Sequence, residues 1–119
     1  MIYAIHEHEL KPGVDAAQYE QAVAAAIARM KVPGLLAAHH LYGLRGVRAK
    51  RYAVLWIFAS EAALVENFGT PEDRRIPPDW AAYENENLAQ YLDRHPDTIE
   101  LTDYRQIKDF DFSANANCG

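Results

Sequence analysis

Cysteine is nearly missing from this chain: Cys118 is the single one in 119 residues. No internal disulfide can form, which suits a reducing cytoplasm. Cys118 lies in the tail Ser113-Ala114-Asn115-Ala116-Asn117-Cys118-Gly119. Nothing there would position a thiol or lower its pKa, so a catalytic cysteine is not expected. Positive charge is scarce as well. Twelve Lys and Arg face 17 Asp and Glu, a net charge of -5, which argues against nucleic acid as a partner, because phosphate binding needs a basic surface. No apolar run approaches the roughly 20 residues of a membrane span. The N-terminus lacks a basic stretch followed by a long apolar one, so no signal peptide is expected. Phosphate loops, dinucleotide-binding glycine patterns, nucleophile elbows and cysteine metal motifs are all absent, which counts against nucleotide-dependent or hydrolytic chemistry.

Half the residues are hydrophobic and 24% are charged, the balance of a globular protein. The length fits one domain, here residues 1–112, with 113–119 as a flexible tail. The first strand runs from Ile2 to Leu10 and stops at the turn Lys11-Pro12-Gly13. Asp15 and Gln18 make a capping-box-like pair at the start of a helix. Ala16, Tyr19, Val23, Ala26, Ile27 and Met30 then form one buried stripe, and Pro33-Gly34 ends it. Leu35 to Tyr42 is a second strand, and 43–50 a loop. Arg51 to Ala59 is a third strand, apolar on both faces and therefore central. Ser60 caps a short helix through Phe68. An irregular stretch leads to a second helical period at Trp80, Tyr83, Asn87, Leu88, Tyr91 and Leu92, stopped by His95-Pro96. Thr98 to Ile107 is the last strand.

The order strand, helix, strand, strand, helix, strand predicts an α+β, ferredoxin-like βαββαβ sandwich: a four-stranded antiparallel sheet with both helical segments on one face. The opposite face then carries a large apolar patch, and two such sheets packed together would bury it in a homodimer.

The segment Leu10-Lys11-Pro12-Gly13 before an acidic-capped helix resembles the start of antibiotic-biosynthesis-monooxygenase-like domains. So does the third strand running into Phe58-Ala59-Ser60-Glu61-Ala62-Ala63-Leu64, with Gly69-Thr70-Pro71 after it. Over residues 1–107 the chain thus resembles the dimeric α/β barrel superfamily. That resemblance implies a small-molecule cavity between sheet and helices. It also implies cofactor-independent oxygenation, isomerisation, cyclisation, lyase-type elimination or haem handling, in a superfamily that includes proteins with no known activity. The chain departs from the monooxygenase pattern at His6 and His8, where small or apolar residues are expected, and in a longer break in the second helical region.

His6 and His8 are the most informative residues. Strand residues alternate faces, so both point the same way, beside Ile2, Ala4 and Leu10. Two imidazoles on an apolar inward face need partners. They read as a general acid/base pair, as two metal ligands with a third from His39 or His40, or as core histidines satisfied by backbone or Tyr hydroxyls. Of the adjacent His39 and His40, one must face the helices and the other the open sheet face. Ala4, Ala37, Ala38 and Ala53 can leave a void beside these histidines or accommodate close helix packing.

Trp56, Trp80, Tyr42 and Tyr83 are candidates for stacking on a planar substrate, or are core and interface aromatics. Trp80 follows the 69–79 segment, which reads as a lid or a plain surface loop. Glu7 and Glu9 lie on the other face of the first strand. If that face meets a partner subunit, Glu7 pairs with Arg51 or with a histidine; the alternatives are a solvated edge position or, with the faces swapped, Glu7 as an internal base. Arg45, Arg48, Lys50 and Arg51 steer an anionic substrate or simply solvate the hairpin. The expected protein is a small cytoplasmic homodimeric enzyme for an apolar, aromatic or polyketide-like metabolite. It works by proton transfer or cofactor-independent oxygenation, with no organic cofactor. The alternative is a non-catalytic dimer that binds a hydrophobic ligand or haem, or has a structural role; a metal ion is a further option.

Overall fold

The computed structural model describes residues 1–93 and 99–113. The expected stop at His95-Pro96, the strand start at Thr98 and the tail carrying Cys118 lie outside the described residues. Strand β1 spans Ile2–His8, helix α1 Ala16–Ala28, β2 Leu35–Tyr42, β3 Tyr52–Phe58, α2 Glu61–Phe68, α3 Pro78–Ala82 and β4 Glu100–Arg105. The strands form one antiparallel sheet in the order β2-β3-β1-β4. The helices cover one face of it, so the fold is the expected ferredoxin-like α+β sandwich.

Local chemistry sets the element ends. The Asp15 carboxylate accepts the Gln18 amide at the start of α1, and the Ser60 hydroxyl accepts the Ala63 amide at the start of α2. Gly34 turns the chain between α1 and β2 with φ +80°, and a Cβ there would lie 2.5 Å from Ala63 Cβ. Only glycine meets both demands. Ala16, expected in the buried stripe of α1, is exposed, while Tyr19, Val23 and Ala26 are buried. Leu10 falls just past β1 and bridges to Leu92.

Register places Ile2, Ala4, His6 and His8 of β1 against Phe58, Trp56, Val54 and Tyr52 of β3. These side chains face the helices and hold most of the core: Ile2, Ala4, Tyr52, Val54, Trp56 and Phe58 are buried with Tyr19, Val23, Trp80, Tyr83, Leu88 and Leu92. Tyr3, Ile5, Ala53, Leu55 and Ile57 alternate onto the other face. The β2–β3 register is irregular between Leu35 and Ala37, which leaves Leu36 59% exposed at the strand's start.

The second stretch of helical period is built from two kinds of helical turn. After α3 the chain widens into a π-helical segment, Tyr83–Leu88. The Ala89 amide reaches back five residues to the Glu84 carbonyl, and the Asn87 side chain donates to the Ala82 carbonyl at 3.3 Å. The physical reason is the spacing of buried residues. Trp80, Tyr83, Leu88 and Leu92 step by three, five and four, and the five-residue step needs the wider turn. The 69–79 segment starts as a tight turn, with Gly69 bridged to Arg74 and the Arg75 guanidinium on the Val65 carbonyl at 3.0 Å.

Candidate functional site

The helix-facing histidines do not share a single pocket. His6 is packed among rings, with centroids 6.2 Å from Trp56 and 5.7 Å from Trp80. Burial pulls its pKa down to about 4, so it is neutral at physiological pH. Trp80 is buried rather than poised over an opening. It packs 4.3 Å from Trp56 and 4.9 Å from Phe68, and its indole N–H donates to Glu84 at 3.0 Å. Trp56 and Tyr83 are buried beside it.

His8 and His40 are joined through a third residue. Tyr19, on the inner face of α1, presents its hydroxyl to both rings. It bonds His8 Nε2, and it lies 3.0 Å from His40 Nε2. Burial lowers the His8 pKa to about 4, with His40 and His6 adding to the effect. Burial lowers the His40 pKa too, against an upward pull from Glu20. Burial raises the Tyr19 pKa, helped by Tyr83, Tyr52 and Glu20. The trio is therefore two neutral imidazoles and one neutral phenol, each able to pass a proton to the next.

His40 stands where the trio approaches the surface. Its ring is 5.3 Å from Tyr52, which in turn is 5.0 Å from Tyr42. The Tyr52 hydroxyl donates to Glu20 at 2.8 Å, and its pKa is pushed up to about 12 by burial and then by Glu20. Tyr42, Tyr52, Glu20, Leu10, Ala16 and Lys50 line an open groove between the start of α1 and the 43–51 loop. At the other end of the trio, His8 borders a cavity of about 20 Å³ together with Glu7, Glu9, Arg51, Leu92, Ile99 and Glu100. His39 points to the opposite sheet face, opposite Leu55, and is exposed. The split expected for the adjacent histidines is thus met, with His40 inward.

Two further expectations change. Glu7 pairs with Arg48 at 2.8 Å rather than with Arg51, and Arg51 pairs with Glu9 at 2.6 Å. Arg48 also reaches Glu100 at 3.1 Å. Two of the four basic loop residues thus pin the sheet's end. Among the described residues no three His, Cys, Asp or Glu side chains gather to hold a metal ion. The place a third ligand would take beside His8 is filled by the Tyr19 hydroxyl. Tyr19 and Glu20 were not singled out for chemistry from the sequence. The available signal was a lone hydroxyl-bearing aromatic in the Ala-rich stripe of a helix that must pack on a histidine-bearing strand.

With this geometry in view, comparison with solved structures places the architecture. The fold is ferredoxin-like. A protein from Bacteroides thetaiotaomicron assigned as an antibiotic biosynthesis monooxygenase is 17% identical, covers 90% of each chain and superposes with a TM-score of 0.54. A dimeric ferredoxin-like protein of unknown function from Bacteroides fragilis is 14% identical over 88% of this chain and 95% of its own, TM-score 0.58. An MhuD variant with two manganese protoporphyrin IX molecules bound per active site is 16% identical over 93% of this chain and 99% of its own, TM-score 0.56. No protein-family model and no curated protein matches the chain. At these identities the likeness is one of fold, and function has to be argued from the site. No helix among the described residues is long and apolar enough to cross a membrane.

Proposed function

We propose that this protein is a homodimeric enzyme that transfers protons on a small, apolar, planar metabolite. One observation carries the reading: His8 and His40 are both held neutral and share the Tyr19 hydroxyl. A neutral imidazole backed by a hydrogen-bonded partner is a general base that can hand its new proton onward. His40 is the least buried member of the trio, beside the groove-lining Tyr52, and takes the role of base. Tyr19 and His8 stand behind it. Tyr42 and Tyr52 offer ring faces on which an aromatic or polyketide-like ligand would stack. His6, Trp56, Trp80 and Tyr83 serve as the rigid backing that keeps the trio in place. Removing a proton from a phenol or from a carbon beside a carbonyl leaves an electron-rich anion. Such an anion is also what reacts with dioxygen, so oxygenation is a second outcome of the same first step.

Dimerisation would use the sheet face that no helix among the described residues covers, where Ile5, Ala53, Leu55 and Ile57 lie together. The dimeric neighbour of the same fold supports this reading.

The porphyrin-bound neighbour suggests haem binding as the competing function. The residues here fit that group poorly. His6 is wedged between two indoles, the cavity beside His8 has room for about one water, and His40 Nε2 is taken by Tyr19.

The test is isotope exchange. Purified protein in D₂O is given an enolisable aryl ketone, and loss of the exchangeable C–H signal is followed by proton NMR, with oxygen uptake recorded in parallel. Wild type should accelerate exchange or consume oxygen, and His40→Ala should lose at least about tenfold of that rate. If no enolisable or phenolic compound in a broad panel is turned over, or if His40→Ala matches wild type, the proposal is wrong.

A further inference from the structure

The His8–Tyr19–His40 trio leaves one nitrogen unexplained. His8 Nδ1 is buried and bonds no described residue, although His8 itself is only 8% exposed. Leaving a buried ring nitrogen without a partner is costly. A related atom lies in the preceding residue. Glu7 Oε2 is buried and finds no aligned hydrogen-bond donor among the described residues, its charge balanced by Arg48 Nε at 2.8 Å. Glu7 and His8 both border the same cavity of about 20 Å³. That size admits about one water, and a buried water needs two or more polar partners to be held. Successive strand residues point to opposite faces, but β1 ends at His8, and there the cavity reaches both residues.

We propose that this cavity is a water site linking Glu7 to His8, and that it completes a directional proton wire from the groove to the sheet's end. The direction is set by the charge of Glu7. A carboxylate only accepts, so a water facing Glu7 gives it one hydrogen; the negative charge beside the cavity then favours an N–H rather than a lone pair at His8 Nδ1, and the water accepts from it. His8 then carries its proton on Nδ1, and its Nε2 accepts. The Tyr19 hydroxyl has a single hydrogen, which it gives to His8 Nε2. The Tyr19 oxygen is left to accept, so His40 must carry its proton on Nε2 and keep Nδ1 as a lone pair. Every hydrogen in the chain then points the same way: His40 Nε2–H to Tyr19, Tyr19 O–H to His8, His8 Nδ1–H to water, water to Glu7. The reverse arrangement would place a second lone pair beside the Glu7 carboxylate.

A proton accepted at His40 Nδ1 is matched by one delivered through the water to Glu7. Both rings then hold the opposite tautomer until the reverse transfer resets them. No bond other than those to hydrogen is made or broken. Glu7, Glu9 and Glu100 border the terminal water with Arg51, and Arg48 holds Glu7, so the receiving carboxylate sits in a charge-compensated cluster. The wire deepens the proton-transfer reading by assigning a sink, and its purpose rests on that reading. Its existence is a property of the resting protein and can be tested without turnover.

The experiment is long-range proton–nitrogen NMR of the histidine rings in the full chain at neutral pH, with a crystal structure that resolves water. The expected result is His8 protonated on Nδ1, His40 protonated on Nε2, and a water bonded to both His8 Nδ1 and Glu7. In Glu7→Gln, which keeps the side-chain shape but removes the charge, the His8 tautomer preference should weaken while the trio stays in place. His8 protonated on Nε2 instead, a cavity with no water, or a tautomer unchanged by Glu7→Gln would each overturn the wire. Loss of exchange activity with these tautomers intact would sink the proposed reaction and leave the wire standing.

Discussion

The Tyr19 hydroxyl oxygen lies 3.0 Å from His40 Nε2, and the same oxygen bonds His8 from the other side. Helix α1 is thereby fastened to two strands, β1 and β2, that are not neighbours in the sheet. Tyr19→Phe keeps the ring packing against Tyr52 and Tyr91 but removes the shared hydroxyl. A buried His8 ring nitrogen then loses its partner. The expected loss of unfolding free energy is about 1–3 kcal/mol, read from urea denaturation. A Phe variant as stable as wild type would mean that the shared hydroxyl contributes nothing.

Stability should depend on pH through the same layer. His6 and His8 have folded-state pKa values near 4, set first by burial, against 6.5 in the unfolded chain. Between those values the unfolded state binds more protons than the folded one, so stability falls as pH falls. It is fully present above about pH 7 and erodes on the way down to pH 4. Each histidine contributes a loss on the order of 2 kcal/mol between pH 7 and pH 5. Urea midpoints measured across that range should drop in wild type, and His6→Leu should flatten the curve. Equal slopes in the two proteins would show that His6 titrates normally.

Trp80 separates a core role from a lid role. It is 2% exposed and contacts Trp56, Phe68 and His6. Trp80→Ala should cost about 3–5 kcal/mol, whereas a lid residue would change ligand affinity and leave the melting curve alone. Thermal unfolding of Trp80→Ala and the milder Trp80→Phe decides this.

Much of the fold was legible because its signals are local. Lys11-Pro12-Gly13, Asp15 and Ser60 mark turns and caps by their own chemistry, and the alternation in β3 states which side chains share a face, though not which face meets the helices, because both are apolar. The inward pair His6 and His8 and the split of His39 from His40 follow from strand period alone. The π-helical segment was not legible, because a five-residue step between Tyr83 and Leu88 looks like noise in a 3.6-residue pattern until the packing is seen. Tyr19 was placed on the buried face of its helix, but its bond to two histidines depends on the distances between three elements. Sequence spacing carries no such information. The pairing of Glu7 with Arg48 rather than Arg51 was missed for a related reason: the loop's path from Gly43 to Arg51, closed by the Lys50 amide on the Gly43 carbonyl at 2.8 Å, decides which guanidinium reaches which carboxylate.

The uncovered sheet face yields the last prediction. Ile57 of β3 sits opposite Tyr3, and Leu55 opposite Ile5, on the side away from the helices. A contiguous apolar surface on one face of a central strand pair is costly in water and is relieved by a second copy. Ile57→Lys introduces a charge in the middle of that surface without touching the helix-side core. If two sheets meet there, each dimer gains two like charges in an apolar contact, and burying an unpaired ammonium costs several kcal/mol. Sedimentation velocity should then show a dimer for wild type and a monomer for Ile57→Lys, with far-ultraviolet dichroism unchanged. A wild-type monomer, or a variant that remains dimeric, would remove this face as the interface.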